Sequence, residues 1–219
     1  VVAAIFVRYY IRHNALKRQL REQKQKMTEA ELAWLKNQLN PHFLFNTLNN
    51  IASLTQTSPA NAQRAIGQLS ELLRYTLYAT QPKEVSLTGE IAFIKNYINL
   101  MRLRSGANVE ITSQFTIQNS QLVIAPLLFL TPVENAFKHG ISASKPSFIH
   151  ISIIEENGDI IFLSENSNYP KNATDKSGKG IGLENMCRRL ELIYPEHYTI
   201  QQVIDRNTYR TKITITPYK

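Results

Sequence analysis

Residues 35–51 read LKNQLNPHFLFNTLNNI, and the organisation of the chain is read outward from them. Counted in helical steps, His42, Asn46, Asn49 and Ser53 fall at i, i+4, i+7 and i+11 and share one face. Leu44, Leu48, Ile51 and Leu54 form a second, apolar stripe. The segment predicts an amphipathic helix whose only imidazole lies on the polar side. Pro41 lacks an amide hydrogen and crowds the carbonyl of Asn37, so a kink is expected beside His42. An exposed imidazole is partly neutral near pH 7 and can act as a nucleophile or a metal ligand. The pattern alone is equally that of a surface histidine beside a proline kink.

Upstream, residues 8–40 contain no Gly or Pro and are rich in good helix formers. Leu20, Met27 and Trp34 recur every seven residues, with Leu16, Gln23 and Ala30 between them, which predicts a short, imperfect coiled-coil linker over 8–31. A parallel coil leading two chains into paired helices predicts a homodimer with a four-helix bundle. The net charge of +8 is concentrated at this end: Arg8, Arg12, Lys17, Arg18, Arg21, Lys24 and Lys26 stand against Glu22 alone, while residues 110–219 balance. VVAAIFV at 1–7 is too short to cross a bilayer, which takes about 20 apolar residues. It suits the last turns of a spanning helix, with the basic cluster at its cytoplasmic exit. The expectation is a membrane contact through the N-terminal helix. Direct nucleic-acid binding is not expected, because the charge sits at one end and only Tyr9 and Tyr10 lie among the basic residues. The single cysteine, Cys187, excludes an internal disulfide and a cysteine metal cluster and fits a reducing compartment.

Downstream, Ser58 is a candidate N-cap with Pro59 at the first helical position, and Ile66, Leu69, Leu73 and Leu77 make the next stripe. Gln81–Lys83 breaks that helix, so a boundary is expected between a dimerisation region, 32–82, and a second domain, 83–219. A third helix runs through Ile91, Ile94, Ile98 and Met101 to Arg104, capped by Ser86 or Thr88, with Gly106 at its stop. From Val109 the period changes to two. Pro126 is expected to start a helix running to Lys138 with Gly140 as terminator. SFIHISIIEE and DIIFLSEN flank the hairpin signal Asn157-Gly158, and YTIQQVID and YRTKITITP flank Arg206-Asn207. Mixed elements with hairpin connections predict an α+β sandwich of two layers, one sheet covered on one face by helices.

Two segments of this half carry chemistry. In PLLFLTPVENAFKHG, Asn135, Lys138 and His139 share a helix face; an amide oxygen can bind Mg²⁺, and a lysine and an imidazole can contact phosphate. Lys138 and His139 equally suit the dipole of a last helical turn. In SGKGIGLEN, glycines at 178, 180 and 182 let a backbone approach a ligand, and the helix after them presents free amides to an anion.

Taken with PHFLFN, the phrases ENAFKHG and GIGLENMCRRLELIYP resemble the phosphoacceptor box, N-box and G2-box of LytS-type sensor histidine kinases, over about residues 32 to 217. The resemblance implies N-terminal all-α dimerising helices followed by an ATP-binding domain of the GHKL type. It implies ATP and Mg²⁺ as cofactors, His42 as phosphoacceptor with Asn46 beside it, and Asn135 on Mg²⁺. Lys138 and His139 would lie near the phosphates, Gly180 and Gly182 would flank them, and residues 167–179 would form a lid. It further implies a response regulator as partner and a place in the cytoplasmic part of a bacterial plasma-membrane protein. The chain departs from the wider GHKL pattern at SENSN, which lacks the Asp-x-Gly whose aspartate reads adenine. Asn166 or Glu165 must take that role, and chemistry leans to Asn166, because an amide both accepts and donates. Phe43 follows the histidine where larger kinase classes carry an acid, and Thr131 stands where related ATPases carry a water-activating glutamate. The rival expectation is a non-catalytic module that binds nucleotide or only dimerises and relays a membrane signal.

Overall fold

The computed structural model describes residues 12–14, 17–18, 41–79, 82–142, 144–169 and 181–217. The coiled seam, most of the basic cluster, residues 1–7, the chain before Pro41 that would form the kink, Gly180 and most of the lid lie outside them. No described helix is long and apolar enough to cross a membrane. The chain divides into two compact units, 1–46 and 47–219. In the first, residues 12–14, 17–18 and 41–46 are helical.

Helix α1 spans Pro41–Thr57 and α2 spans Pro59–Arg74, with Ser58 as N-cap and Pro59 in the first turn. The Ser58 side chain closes no capping bond, so the proline supplies the start signal. The buried seams are offset from the expected stripes. On α1, Thr47 and Ile51 are buried while Leu48 is exposed; on α2, Ala62, Ala65, Leu69 and Leu72 are buried while Ile66 is exposed. Small alanines allow close approach, and that side of α2 packs along α3, Leu87–Arg104. A π-helical turn, Tyr75–Ala79, ends α2 and leaves Leu77 and Tyr78 exposed.

Helix α3 starts where the Ser86 side chain accepts from the Gly89 amide at 3.1 Å. It stops at Ser105, whose backbone is extended and whose hydroxyl donates to the Met101 carbonyl at 2.9 Å. Gly106, the expected terminator, is not in the left-handed region. Two short strands, β1 (Val85–Ser86) and β3 (Val123–Ile124), pair antiparallel and pin the start of α3 to the segment before α4, Leu130–Gly140. That helix begins at Leu130, not at Pro126: residues 126–129 form a turn in which Leu127 takes φ 55°.

The main sheet has the order β2-β4-β5-β7-β6, with β2 Val109–Thr116, β4 Ser147–Glu156, β5 Asp159–Ser167, β6 Tyr198–Asp205 and β7 Thr208–Ile215. β2 and β4 are parallel, which requires a crossover, and the chain through β3 and α4 supplies it. The hairpin β4–β5 turns at Asn157 and Gly158, both with positive φ, as the Asn-Gly signal predicts. Helix α5, Ile181–Ile193, leads into the β6–β7 hairpin, which sets β7 between β5 and β6.

One sheet face is buried. Ile149, Ile151 and Ile153 of β4, Ile160 and Phe162 of β5, and Ile213 and Ile215 of β7 pack with Val133, Phe137, Met186 and Leu190 from the helices. Phe129 stacks on Phe162 with centroids 4.8 Å apart. Burying each such side chain contributes about 1.5–3 kcal/mol, so this layer holds the domain together. The result is the expected two-layer α+β arrangement, with the small β1–β3 pair added.

Gly158 has φ +88°, and the space where a Cβ would stand is open. Gly158→Ala is therefore expected to destabilise by about 1 kcal/mol through the backbone alone, read as a lower urea midpoint with an unchanged denaturant slope.

Candidate functional site

Strand β5 carries Phe162, Ser164 and Asn166 to the covered face, at 0%, 2% and 1% exposure. Ile161, Leu163 and Glu165 point to the other face by the alternation of a strand. There Glu165 is bound by Arg210, its cross-strand partner on β7, at 3.0 and 3.3 Å. The question of which side chain faces inward, open in the sequence, is thus answered by packing: Asn166 faces the helical layer and Glu165 does not.

The Asn166 amide is oriented. Its Nδ2 donates to the Ser167 carbonyl at 2.8 Å, and its Oδ1 is buried with no hydrogen-bond partner among the described residues. A buried acceptor left unmet costs about 1–3 kcal/mol, and a ligand amino group is the kind of donor that would satisfy it. Ser167 is fixed in turn, its Oγ accepting from the Phe148 amide at 2.7 Å. Thr211, opposite Ser164 on β7, is a further buried polar group on the same face, 3% exposed. It went unread in the sequence, although the alternation Thr211, Ile213, Ile215 places it inward.

Helix α4 closes this end. Val133, Ala136, Phe137 and Gly140 are buried, Asn135 is half-buried, and Lys138 and His139 are exposed in the last turn. Gly140 is the last helical residue and lies against Asn166. Its part is to let the strand end come close to the helix, not to provide a left-handed stop. Burial pushes the Glu134 carboxyl up to about 7, with Lys138 one turn on pulling it partly back. Thr131 is half-buried.

Among the described residues no cluster of three or more metal-binding side chains exists. Asn135 offers one neutral oxygen, which fits a Mg²⁺ that keeps most of its shell from water and nucleotide phosphates. Gly182 lies in the first turn of α5, and Gly180 is outside the described residues. His42 lies in the first turn of α1, with Asn46 one turn on and half-buried. His42 and Asn46 belong to the first compact unit, and Asn135 and Asn166 to the second.

A family model described as histidine kinase matches residues 30–109. The sensor histidine kinase YpdA of Escherichia coli is 33% identical over 84% of this chain and 34% of its own length. The sensor protein LytS of Streptococcus mutans is 32% identical over 79% of this chain and 32% of its own. The chain belongs to the LytS-type histidine kinases. It spans about a third of the length of these relatives. Among solved structures, the histidine kinase domain of the Erythrobacter litoralis blue-light activated kinase aligns with 85% of this chain and 91% of that one, at 14% identity and TM-score 0.48.

Two helical glycines of the chain should respond to alanine with opposite sign. At Gly140 a Cβ would stand 2.8 Å from Asn166 Cβ and 3.0 Å from its Nδ2, so Gly140→Ala is expected to lower stability by about 1–3 kcal/mol through overpacking. Gly67 in α2 has nothing within 4 Å, so Gly67→Ala should gain up to about 1 kcal/mol of helix propensity. Chemical denaturation of both variants reads the difference.

Proposed function

We propose that this chain is the phosphotransfer and ATP-binding part of a membrane-bound sensor histidine kinase, which phosphorylates its own His42 from Mg·ATP. The phosphoryl group then passes to an aspartate of a response regulator. The reading is carried by Asn166, whose buried and unmet Oδ1 suits the adenine amino group, set beside an α4 that bears Asn135. Asn135 would hold the Mg²⁺ on the nucleotide. Gly180 and Gly182, with the amides of the α5 start, would flank the phosphates, and Lys138 and His139 would stand near them. His42 then acts as nucleophile toward the γ-phosphoryl group, with Asn46 on the same helix face. The chemistry supplied by Mg·ATP is a transferable phosphoryl group with its charge partly neutralised.

The domain reading runs with it: 1–7 as the end of a membrane helix, 8–31 as the coiled linker, 32–82 for dimerisation and phosphotransfer, and 83–219 for nucleotide. A homodimer is supported by the exposed apolar side chains Leu48, Ile66, Leu77 and Tyr78 on the helical segment, 48–69% accessible. A chain facing the cytoplasm of a bacterial cell beneath its plasma membrane would meet both ATP and the regulator.

Two measurements test this. Incubation with γ-labelled ATP and Mg²⁺ should give an acid-labile, base-stable phosphoramidate that is absent in His42→Gln; label surviving in that variant sinks the phosphoacceptor. In a nucleotide titration Asn166→Ala should weaken ATP at least tenfold, about 1.4 kcal/mol, while Glu165→Gln, paired outside with Arg210, changes it little. The reverse ranking would move the adenine contact to Glu165. ATP binding without any phosphohistidine would favour the non-catalytic module.

A further inference from the structure

Glu90 lies in the first turn of α3 and is wholly buried. One of its oxygens, Oε2, accepts two hydrogen bonds, from the Tyr75 hydroxyl and from the Leu127 amide, both at 2.9 Å. The two donors come from different parts of the domain. Tyr75 opens the π-helical turn at the end of α2 and stacks on Phe93 of α3 with centroids 4.9 Å apart. Leu127 sits in the turn 126–129, three residues before α4, with a φ of 55° that residues bearing side chains rarely adopt.

That turn reads Pro-Leu-Leu-Phe, so none of its own side chains can hydrogen-bond to its backbone. Its shape is imposed from outside. Glu90 grips the Leu127 amide from α3. From α5, Arg189 Nη2 donates to the Pro126 carbonyl at 2.6 Å, and Tyr194, just past α5, accepts from the Ala125 amide at 2.8 Å. Burial pushes the Glu90 carboxyl up, and the Leu127 amide, the Tyr75 hydroxyl, the Phe129 amide and the Arg189 guanidinium draw it back. A buried carboxylate is an expensive way to fill space between helices; an apolar residue of similar volume would pack there with no charge to compensate. What the carboxylate adds is a fixed acceptor for a strained backbone.

We propose that Glu90 is a positioning residue of the nucleotide site: its carboxylate holds the Leu127 amide and so aims α4 and Asn135, and it ties that turn to Tyr75 at the end of α2. The inference rests on Asn135 being the Mg²⁺ ligand. Its signature is selective. A displaced α4 start harms the Mg·triphosphate contact, while the base contact at Asn166 on β5 is held by its own strand.

The experiment is calorimetric titration of the chain with a non-hydrolysable Mg·ATP analogue and, separately, with adenosine. Glu90→Leu fills the space without an acceptor and should weaken the Mg·analogue at least tenfold and adenosine less than threefold. Glu90→Gln keeps an oxygen that can accept both bonds and should stay within threefold of the parent for both ligands. In an Asn135→Ala background the effect of Glu90→Leu should vanish. Tyr75→Phe keeps the ring stack and removes one donor, so it should weaken the Mg·analogue about threefold with adenosine unchanged; it decides the matter if Glu90→Leu does not fold. Equal losses for both ligands, or no loss for either, overturn the proposal. If Asn135→Ala binds the Mg·analogue as the parent does, the Mg²⁺ assignment itself falls and the inference with it. Loss in Asn135→Ala without loss in Glu90→Leu removes only the role of Glu90.

Discussion

Once Phe162 is stacked on Phe129 in the covered layer, the two-residue period of β5 fixes the direction of every later side chain on the strand. Ser164 and Asn166 must enter the same layer, and Glu165 must leave it for Arg210 on the far face. Two polar side chains of β5 are thereby drawn into a largely apolar interior, where Thr211 of β7 is also buried. Burial of polar groups is tolerated where they are bonded. The asparagine amide meets that condition on one side only, through the Ser167 carbonyl. The surrounding elements are arranged about that end of the strand: α4 comes close because Gly140 has no side chain, and Ser167 is locked by the Phe148 amide.

The parts of this arrangement that were legible in the sequence are those decided locally. Asn157-Gly158 dictates a hairpin because both residues must take positive φ, and the chain on either side alternates. Ser86 caps α3 because its hydroxyl reaches the Gly89 amide within one turn. The start of α4 was not legible. Pro126 is a good first helical residue by its own preference, yet Leu127 is held out of the helix by Glu90, a residue 37 positions away. The buried seams of α1 and α2 were shifted for a related reason. Both helices carry apolar residues on two sides, and a stripe read from leucines favours the larger ones. Packing along α3 instead selects Ala62 and Ala65, whose size lets the helices approach.

At the site the division is similar. Asn135, Lys138 and His139 could be grouped from helical spacing, and Asn166 could be preferred over Glu165 from amide chemistry, but neither strand face declared itself. Ile161 and Leu163 are as apolar as Phe162, and only the sheet pairing turned one set inward. Glu90 carried a signal that went unread: an acid amid Leu87, Ile91 and Ile94, on the side of a helix that has to be dry. A charge in such a stripe is rare unless paired, which is itself a pointer to a specific partner.

Glu90 and Asn166 together show how the domain distributes its buried acceptors. Glu90 has an amide and a hydroxyl donor on one oxygen and a guanidinium nearby, which draw its carboxyl back against the burial that pushes it up, while its other oxygen is buried with no hydrogen-bond partner among the described residues. Asn166 Oδ1 accepts from no group among the described residues, and Arg210, the arginine on the neighbouring strand, is on the opposite face with Glu165. A carboxylate at 166 would be buried to the same degree, which disfavours its charge, and its second oxygen would meet the Ser167 carbonyl to which Nδ2 now donates. Two acceptors would face each other where a donor and an acceptor stand. The amide removes both penalties at once, since it turns its donor to the strand and leaves a neutral oxygen toward the helical layer. The asparagine of SENSN thus fits the local bonding around residue 166, and the absence of an aspartate there does not by itself argue against a nucleotide site.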